Sequence, residues 1–441
     1  MKKITVVGTG YVGLVTGAGI SDFGHEITCV DIDTDKISML QSGKIPIHEP
    51  GLERLVKRNV AAGRLSFSTD VVGAIQWAEV VFIAVGTPPA DNGEADLSAV
   101  KAVAKVIGQN LNQFKVICTK STVPIGTGRL IAKIISEHKP SEIEFEYVSN
   151  PEFLREGAAV NDFTHPDRVV IGAGSERAFK VMEAIYRPLY INETPIIHTE
   201  VETAEMIKYA ANAFLALKIS YINEIANLCE AVGADVHVVA RALGLDGRIS
   251  PKFLHPGPGF GGSCFPKDTQ ALVSVGRSLG EALRTVEAAI ETNNRQKNRM
   301  LEKLRNLVGG TFKGKSIAVL GLSFKPETDD VRESSALYML NALLQEGAKV
   351  KAYDPIAVGT MKTQIPDASY FGSWQEAVQD CDGCVIMTEW NEFRALNLED
   401  LKRRLKTPVL LDARNIFPLA NLERLGFKYD NVGRKHRHHA V

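Results

Sequence analysis

The sequence predicts an α/β protein: a doubly wound parallel-sheet domain at the N-terminus, a central helical domain on one long helix, and a second sheet domain of the same kind behind it. Three observations predict this. A β-branched strand near the N-terminus runs at once into a glycine-rich turn and a helical pattern, the stretch from Val201 to Val232 is helical throughout, and a new series of strands begins near Gly314. At 441 residues the chain exceeds one typical core, so two or three domains are expected. Hydrophobic residues at 45% and charged residues at 23% are ordinary for a globular protein, and a net charge of −1 argues against a surface built for nucleic acid. Six cysteines in a chain this long make no disulfide framework, and a reducing, cytoplasmic setting fits them. No uninterrupted apolar span has the length of a membrane crossing.

The first strand is Ile4-Thr5-Val6-Val7, followed directly by Gly8-Thr9-Gly10-Tyr11-Val12-Gly13. Lys2 and Lys3 before the apolar run from Ile4 to Ile20 imitate a secretory leader, but glycines interrupt the run and Ser21-Asp22 offers no cleavage pattern. A second strand, Glu26 to Val30, ends in Asp31, near the spacing of a ribose-binding carboxylate. Together these make a dinucleotide-binding Rossmann fingerprint. Gly8 permits the tight turn, Gly10 lets backbone N–H groups meet a pyrophosphate, and Gly13 allows close helix–strand packing. The phosphates then lie on a helix N-terminus. Asp31 repels a 2′-phosphate, so NAD is expected rather than NADP. Strands Val80–Val85 and Lys115–Thr119 each end in a turn, Gly86-Thr87-Pro88-Pro89 and Lys120-Ser121-Thr122-Val123-Pro124, and ligands gather at such carboxyl ends.

In the Val201–Val232 stretch, Lys208 and Asn212 project from one face amid apolar neighbours, a polar pair that needs partners. So long and apolar a helix also suits a dimer seam. Beyond it stands Gly261-Gly262-Ser263-Cys264-Phe265-Pro266-Lys267-Asp268. Residues 269–275 continue as a helix with Pro266 in or just before the first turn, which places the Cys264 thiol near a helix N-terminus, where partial positive charge favours the nucleophilic thiolate. This points to covalent catalysis. The later strands are Lys315–Leu320, Lys349–Tyr353, Cys384–Met387 and Val409–Leu411, without the glycine fingerprint, so this Rossmann-like sheet has another ligand duty. Cys381-Asp382-Gly383-Cys384 has no second ligand pair spaced for zinc, and burial of Cys384 is expected; no metal site is predicted. The end, Gly433-Arg434-Lys435-His436-Arg437-His438-His439, reads as a solvated basic tail.

With these segments and Asn150-Pro151-Glu152-Phe153-Leu154-Arg155-Glu156-Gly157 in hand, the chain resembles the UDP-glucose 6-dehydrogenase family over nearly its whole length. The cysteine segment and the Pro151–Gly157 segment carry the resemblance. It implies three domains: 1–196 binding NAD, 197–300 helical and dimerising, and 312–434 binding the UDP-sugar, with 435–441 as the tail. It also implies a four-electron oxidation of a sugar's primary alcohol, UDP-glucose to UDP-glucuronate, with two NAD consumed. Sister enzymes act on GDP-mannose or UDP-N-acetylhexosamines. By position, Cys264 traps the aldehyde, and Lys208 and Asn212 stabilise the oxyanion. Asp268 helps activate water, Glu152 is the base for thioester hydrolysis, and Thr122 orders the water. Tyr11, Val12, Lys36, Gly86, Thr87, Glu156, Lys267 and Arg332 join the glycine turn and Asp31 as cofactor contacts. Phe153, Leu154, Arg155, Phe253, His255, Gly257, Phe260, Gly261, Phe324, Lys325 and Arg414 are implied substrate contacts, and Arg248 reaches the substrate across a homodimer. No nucleic acid or membrane partner is implied.

The chemistry agrees with that assignment. An aldehyde cannot lose a second hydride until a nucleophile adds to its carbonyl, and a thiolate does this while keeping the aldehyde from escaping. Two rival readings remain. A two-electron β-hydroxyacid dehydrogenase has no use for Cys264, and a non-catalytic NAD sensor does not need the Glu152, Lys208, Cys264 and Asp268 set.

Overall fold

The computed structural model describes residues 1–90 and 93–434. By its internal contacts the chain divides into two compact units. One is Met1–Ala211 with Ser274–Leu279; the other is Asn212–Val273 with the chain from Gly280 onward.

The first unit is built on eight strands: β1 Lys3–Val7, β2 Glu26–Val30, β3 Leu65–Ser68, β4 Val80–Ile83, β5 Lys115–Thr119, β6 Phe145–Ser149, β7 Val169–Ala173 and β8 Ile196–Thr199. They lie in the order β3-β2-β1-β4-β5-β6-β7-β8, parallel except where β6 meets β7. Runs such as Val80-Val81-Phe82-Ile83 are apolar on both faces because helices cover both. Ile4, Val6 and Phe82 pack into one core; Val7, Val81 and Ile83 turn to the other. The apolar run that imitated a leader is β1, the glycine turn and most of the buried helix Tyr11–Asp22. The strand expected over Val80–Val85 stops at Ile83, since Val85 already belongs to the turn.

The second unit carries β9 Ser316–Leu320, β10 Lys349–Tyr353, β11 Ser369–Tyr370, β12 Gly383–Ile386, β13 Val409–Asp412 and β14 Lys428–Asp430, all parallel, in the order β11-β10-β9-β12-β13-β14. Ile317, Val319 and Val385 face one core, and Ala318, Leu320 and Cys384 the other. Cys384 is fully buried, and burial pushes its thiol pKa up, as packing rather than redox chemistry requires.

Gly433 and Arg434, which open the basic run in sequence, are packed into the second unit. Gly433 N–H donates to Glu230 (2.8 Å), its carbonyl accepts from Val236 N–H (2.9 Å), and Arg434 is buried with Nη1 donating to Phe417 O (3.0 Å). Arg434 Nη2 lies 3.6 Å from Asp412, and these partners draw both residues into the fold. Residues 435–441 lie outside the described residues. Among the described residues no helix is long and apolar enough to cross a membrane.

Candidate active site

In the first unit the glycine turn has the geometry a dinucleotide needs. Gly8 adopts φ +103° and donates to Val30 O (2.7 Å), closing β1 onto β2. A Cβ on Gly13 would stand 1.9 Å from Gly8 O, so no other residue fits there. A Cβ on Gly10 would meet nothing within 4 Å, and Gly10 begins the helix Tyr11–Asp22 with no side chain capping it. That leaves a helix N-terminus able to receive an anion. Asp31 Oδ2 accepts from Thr9 N–H and Thr9 Oγ1, both at 2.8 Å, and Lys36 Nζ lies 3.7 Å away. Burial works against its charge, but these donors, Asp33 N–H and Lys36 outweigh it and hold the carboxyl below its usual range. These residues fit NAD. Gly86 is open, and Thr87 Oγ1 donates to Thr122 O (2.8 Å), tying the turns after β4 and β5 together.

Glu49 gave no local pattern in sequence. Its buried carboxylate accepts from Gly157 N–H (2.6 Å), Ala159 N–H (2.7 Å) and the Tyr11 hydroxyl, joining the glycine-turn helix to the end of the Pro151–Gly157 segment. Burial first, then the Glu49 carboxylate, pushes the Tyr11 hydroxyl far above its ordinary pKa, and Glu156 adds to this. Val12 is half-buried beside it.

Glu152 and Lys208 form an ion pair at 3.0 Å with side chains only 5% and 4% exposed. Leu154 N–H donates to the other oxygen of Glu152 (2.6 Å). The Lys208 ammonium stands 5.5 Å from the centre of the Phe153 ring, whose face Arg168 also covers at 3.7 Å. The polar side chain on the long helix thus has the partner its burial demands. Arg155 instead forks onto Asp162 and stays exposed.

In the second unit Cys264 immediately precedes the helix Phe265–Ser278, whose first turn closes with Asp268 N–H donating to Cys264 O (2.8 Å). It is partly exposed; the other five cysteines are buried. Asp268 is 1% exposed and takes Asn212 Nδ2 on one oxygen and Lys267 Nζ on the other, each at 2.6 Å. Asn212 and Lys267 thereby fix the acid one turn beyond the thiol.

The loop before it is held by residues the sequence did not single out. Asn293 accepts from Phe260 N–H (2.7 Å) and donates to Phe260 O (3.0 Å), while Asn223 and Gln296 grip the N–H and carbonyl of Gly257. Asparagines on helices carry no signal of such use until the loop folds onto them. Gly261 is obligatory, since a Cβ would lie 2.3 Å from Glu333 O, and Gly262, at φ +84°, lies against the Phe324 ring. Gly262 N–H donates to Arg332 O (2.8 Å). Phe253 and Phe260 each place a ring 6.0 Å from Phe265. Arg414 donates to Met387 O (2.7 Å) and Phe324 O (3.1 Å) and lies beside Gly257, and Lys325 Nζ sits over the Phe324 ring at 5.4 Å. Phe324, Lys325, Arg414 and the glycine loop therefore meet. Arg248 and His255 do not join them: both are exposed, and Arg248 forks onto Asp246. The exposed Arg332 side chain forks onto Asp330. Among the described residues no group of three His, Cys, Asp or Glu could hold a metal ion.

Comparison with known proteins matches residues 2–190, 202–295 and 318–418 to the NAD-binding, central and UDP-binding domains of the UDP-glucose/GDP-mannose dehydrogenase family. A UDP-glucose 6-dehydrogenase of Rhizobium meliloti is 52% identical over 98% of this chain and 99% of its own. One from Bacillus subtilis is 49% identical over 98% and 94%. The structure of a UDP-glucose dehydrogenase from Pyrobaculum islandicum superposes with a TM-score of 0.89 at 38% identity, covering 94% of this chain and 95% of that one. The chain belongs to the UDP-glucose/GDP-mannose dehydrogenase family.

Proposed function

We propose that the protein is an NAD-dependent UDP-glucose 6-dehydrogenase, converting UDP-glucose, two NAD and water to UDP-glucuronate and two NADH. The observation that carries this reading is Cys264, the partly exposed cysteine of the six, at a helix N-terminus with Asp268 clamped one turn on by Asn212 and Lys267. A two-electron alcohol dehydrogenase has no use for that thiol. The relatives named for UDP-glucose are much nearer in sequence than the UDP-D-ManNAc dehydrogenase of Pyrococcus horikoshii, at 27% identity, which favours glucose over the acetylated sugars.

Gly8, Gly10, Gly13 and Asp31 are the residues that would hold NAD, which takes up one hydride per molecule. Cys264 adds to the C6 aldehyde as a thiohemiacetal and is left bearing a thioester after the second oxidation. Water then adds to C6, Glu152 takes its proton, the C–S bond breaks and the thiolate returns. Lys208, its ammonium a compact charge, and Asn212 stabilise the oxyanion; losing one such donor costs on the order of a hundredfold to a thousandfold in turnover. Thr122 orders the water. Residues 1–196, 197–300 and 312–434 serve as the NAD, dimerisation and UDP-sugar domains.

We further infer a homodimer. On the long helix Phe214, Tyr221 and Leu228 recur every seventh residue and stay 61%, 49% and 58% exposed, an apolar stripe suited to a second copy. Arg248, exposed and held only by Asp246, is then free to serve the partner's site. A cytoplasmic location fits six unpaired cysteines.

Purified protein incubated with NAD and a panel of UDP- and GDP-sugars should give two NADH per UDP-glucose and little with the others. Cys264→Ser should abolish acid formation and leave NAD and UDP-glucose binding near normal. Full acid production by that variant removes Cys264 from the mechanism.

A further inference from the structure

β5 and β6 end side by side in register, Thr119 opposite Ser149. The next residue on each, Lys120 and Asn150, is buried at 5% and 0% exposure. Lys120 Nζ donates to Asn150 Oδ1 (3.0 Å) and to the Tyr186 hydroxyl (3.3 Å), and that hydroxyl donates to the same Asn150 oxygen (2.6 Å). Asn150 Nδ2 donates to Val170 O (2.7 Å) on β7, so both ends of the carboxamide are fixed. The main chain is anchored as well: Lys120 N–H and Ser121 N–H both donate to Ile83 O at the end of β4, and Asn150 N–H donates to Thr119 O.

Burying an ammonium costs several kcal/mol even after relaxation, whereas a methionine of similar reach fills such a niche without that cost. A packing role alone therefore does not account for Lys120. Burial lowers its pKa to about 8, and the carboxylate whose charge it feels is Glu152. Its place in the chain is the stronger clue. Lys120 stands two residues before Thr122, and Asn150 two residues before Glu152.

We propose that Lys120 is a positioning residue for the hydrolytic step, bridging β5 to β6 through Asn150 so that the water-ordering Thr122 and the base Glu152 are held as one unit. This rests on the roles given to those two residues above. The bridge acts when water attacks the thioester: oxygen bonds to C6, the proton passes to Glu152 and the C–S bond breaks. The two oxidations do not need it.

The test is Lys120→Met in the full chain, mixed rapidly with UDP-glucose and excess NAD. The expected result is a burst of two NADH per active site at close to the wild-type rate. Turnover then slows by about ten- to a hundredfold, the range a misplaced catalytic group produces. Intact mass spectrometry should find the acyl group on Cys264, with KM falling alongside kcat so that kcat/KM for both substrates changes less than about twofold. A merely structural role would slow every step together and leave no trapped acyl-enzyme, and that outcome, like unchanged turnover, overturns the proposal. Tyr186→Phe removes one partner of the bridge and should slow the same step to a smaller degree. If Lys120→Met does not fold, an unaltered hydrolysis rate in Tyr186→Phe overturns the proposal by itself. Wild-type protein giving one NADH per sugar, or none, overturns the assigned reaction and this role with it; two NADH with hydrolysis intact in the variants overturns only the role of Lys120.

Discussion

The two sheets share one topology over six strands and differ at the turn that follows the first of them. Each has the 3-2-1-4-5-6 strand order over its first six strands, and a glycine with positive φ after its first strand, Gly8 at +103° and Gly321 at +88°, donates to the end of the second strand. Each second strand ends in aspartate. After Gly8 the helix starts at once, with Gly10 at its N-cap and no side chain over its first turn. After Gly321 the chain wanders to Ser335 before a helix forms, and the Ser334 hydroxyl caps it at Leu337 N–H. The aspartates diverge in the same sense. Asp31 keeps some exposure, while Asp354, at 2%, is saturated by Leu322 N–H, Ser323 N–H and Oγ, Trp390 Nε1, Ile356 N–H and Ala357 N–H. An anion site arises where a fold leaves donors at a helix start unspent, and the second sheet spends them on itself.

That contrast can be broken by substitution. The largest effect belongs to Gly13→Val: the new side chain would collide with Gly8 O, a backbone atom that cannot yield, and NAD binding should fall by more than about a hundredfold in calorimetric titration. Gly321→Ala, which meets Thr388 N at 2.5 Å, should lower the melting temperature and leave NAD affinity alone. Asp354→Ala comes next, at about 3 kcal/mol of stability lost in denaturant melts because several buried donors lose their acceptor, with no change in the NAD/NADP ratio. Asp31→Ala should instead weaken NAD by about tenfold and narrow its preference over NADP, with a smaller loss of stability because only Thr9 and Asp33 N–H lose their acceptor. An unchanged ratio would mean the ribose contact is misplaced.

A third helix start sharpens the comparison by the smallest margin. Gly126 N–H and Gly128 N–H, at the head of the helix Thr127–His138, donate to the buried Glu205 carboxylate at 2.6 and 2.8 Å, so this N-terminus is filled from within. Burial, opposed by those two donors, raises the Glu205 carboxyl from 4.5 to about 7. The folded chain therefore holds an extra proton between those values, and this group's contribution is greatest below the lower one and is lost as pH rises to the upper. Relative to wild type, Glu205→Gln should gain in melting temperature between pH 5 and pH 7.5. A constant difference across that range would show that Glu205 stays ionised.

Much of the site was legible in sequence because its groups sit beside backbone features with fixed local rules. Gly8, Gly13, Asp31, Cys264 and Asp268 follow from a strand end, a tight turn and a helix start, each set within a few residues. Glu49, Asn223, Asn293 and the Lys120–Asn150–Tyr186 cluster were not legible. Their partners lie 20 or more residues away in the chain, and an isolated Lys or Asn looks the same whether it faces water or a buried carbonyl. Arg434 shows the same limit. In sequence it opens a basic tail, and only the packed Asp412 and Phe417 O give its charge a reason to be inside.

The order of strands and turns, the glycine fingerprint and the place of Cys264 before a helix were settled by short-range stereochemistry, since φ, chain reversal and helix polarity are properties of adjacent residues. Which acids are paired, which helix starts are already filled and which lysines are buried was decided by tertiary structure, because desolvation and hydrogen-bond satisfaction depend on neighbours that only folding brings close.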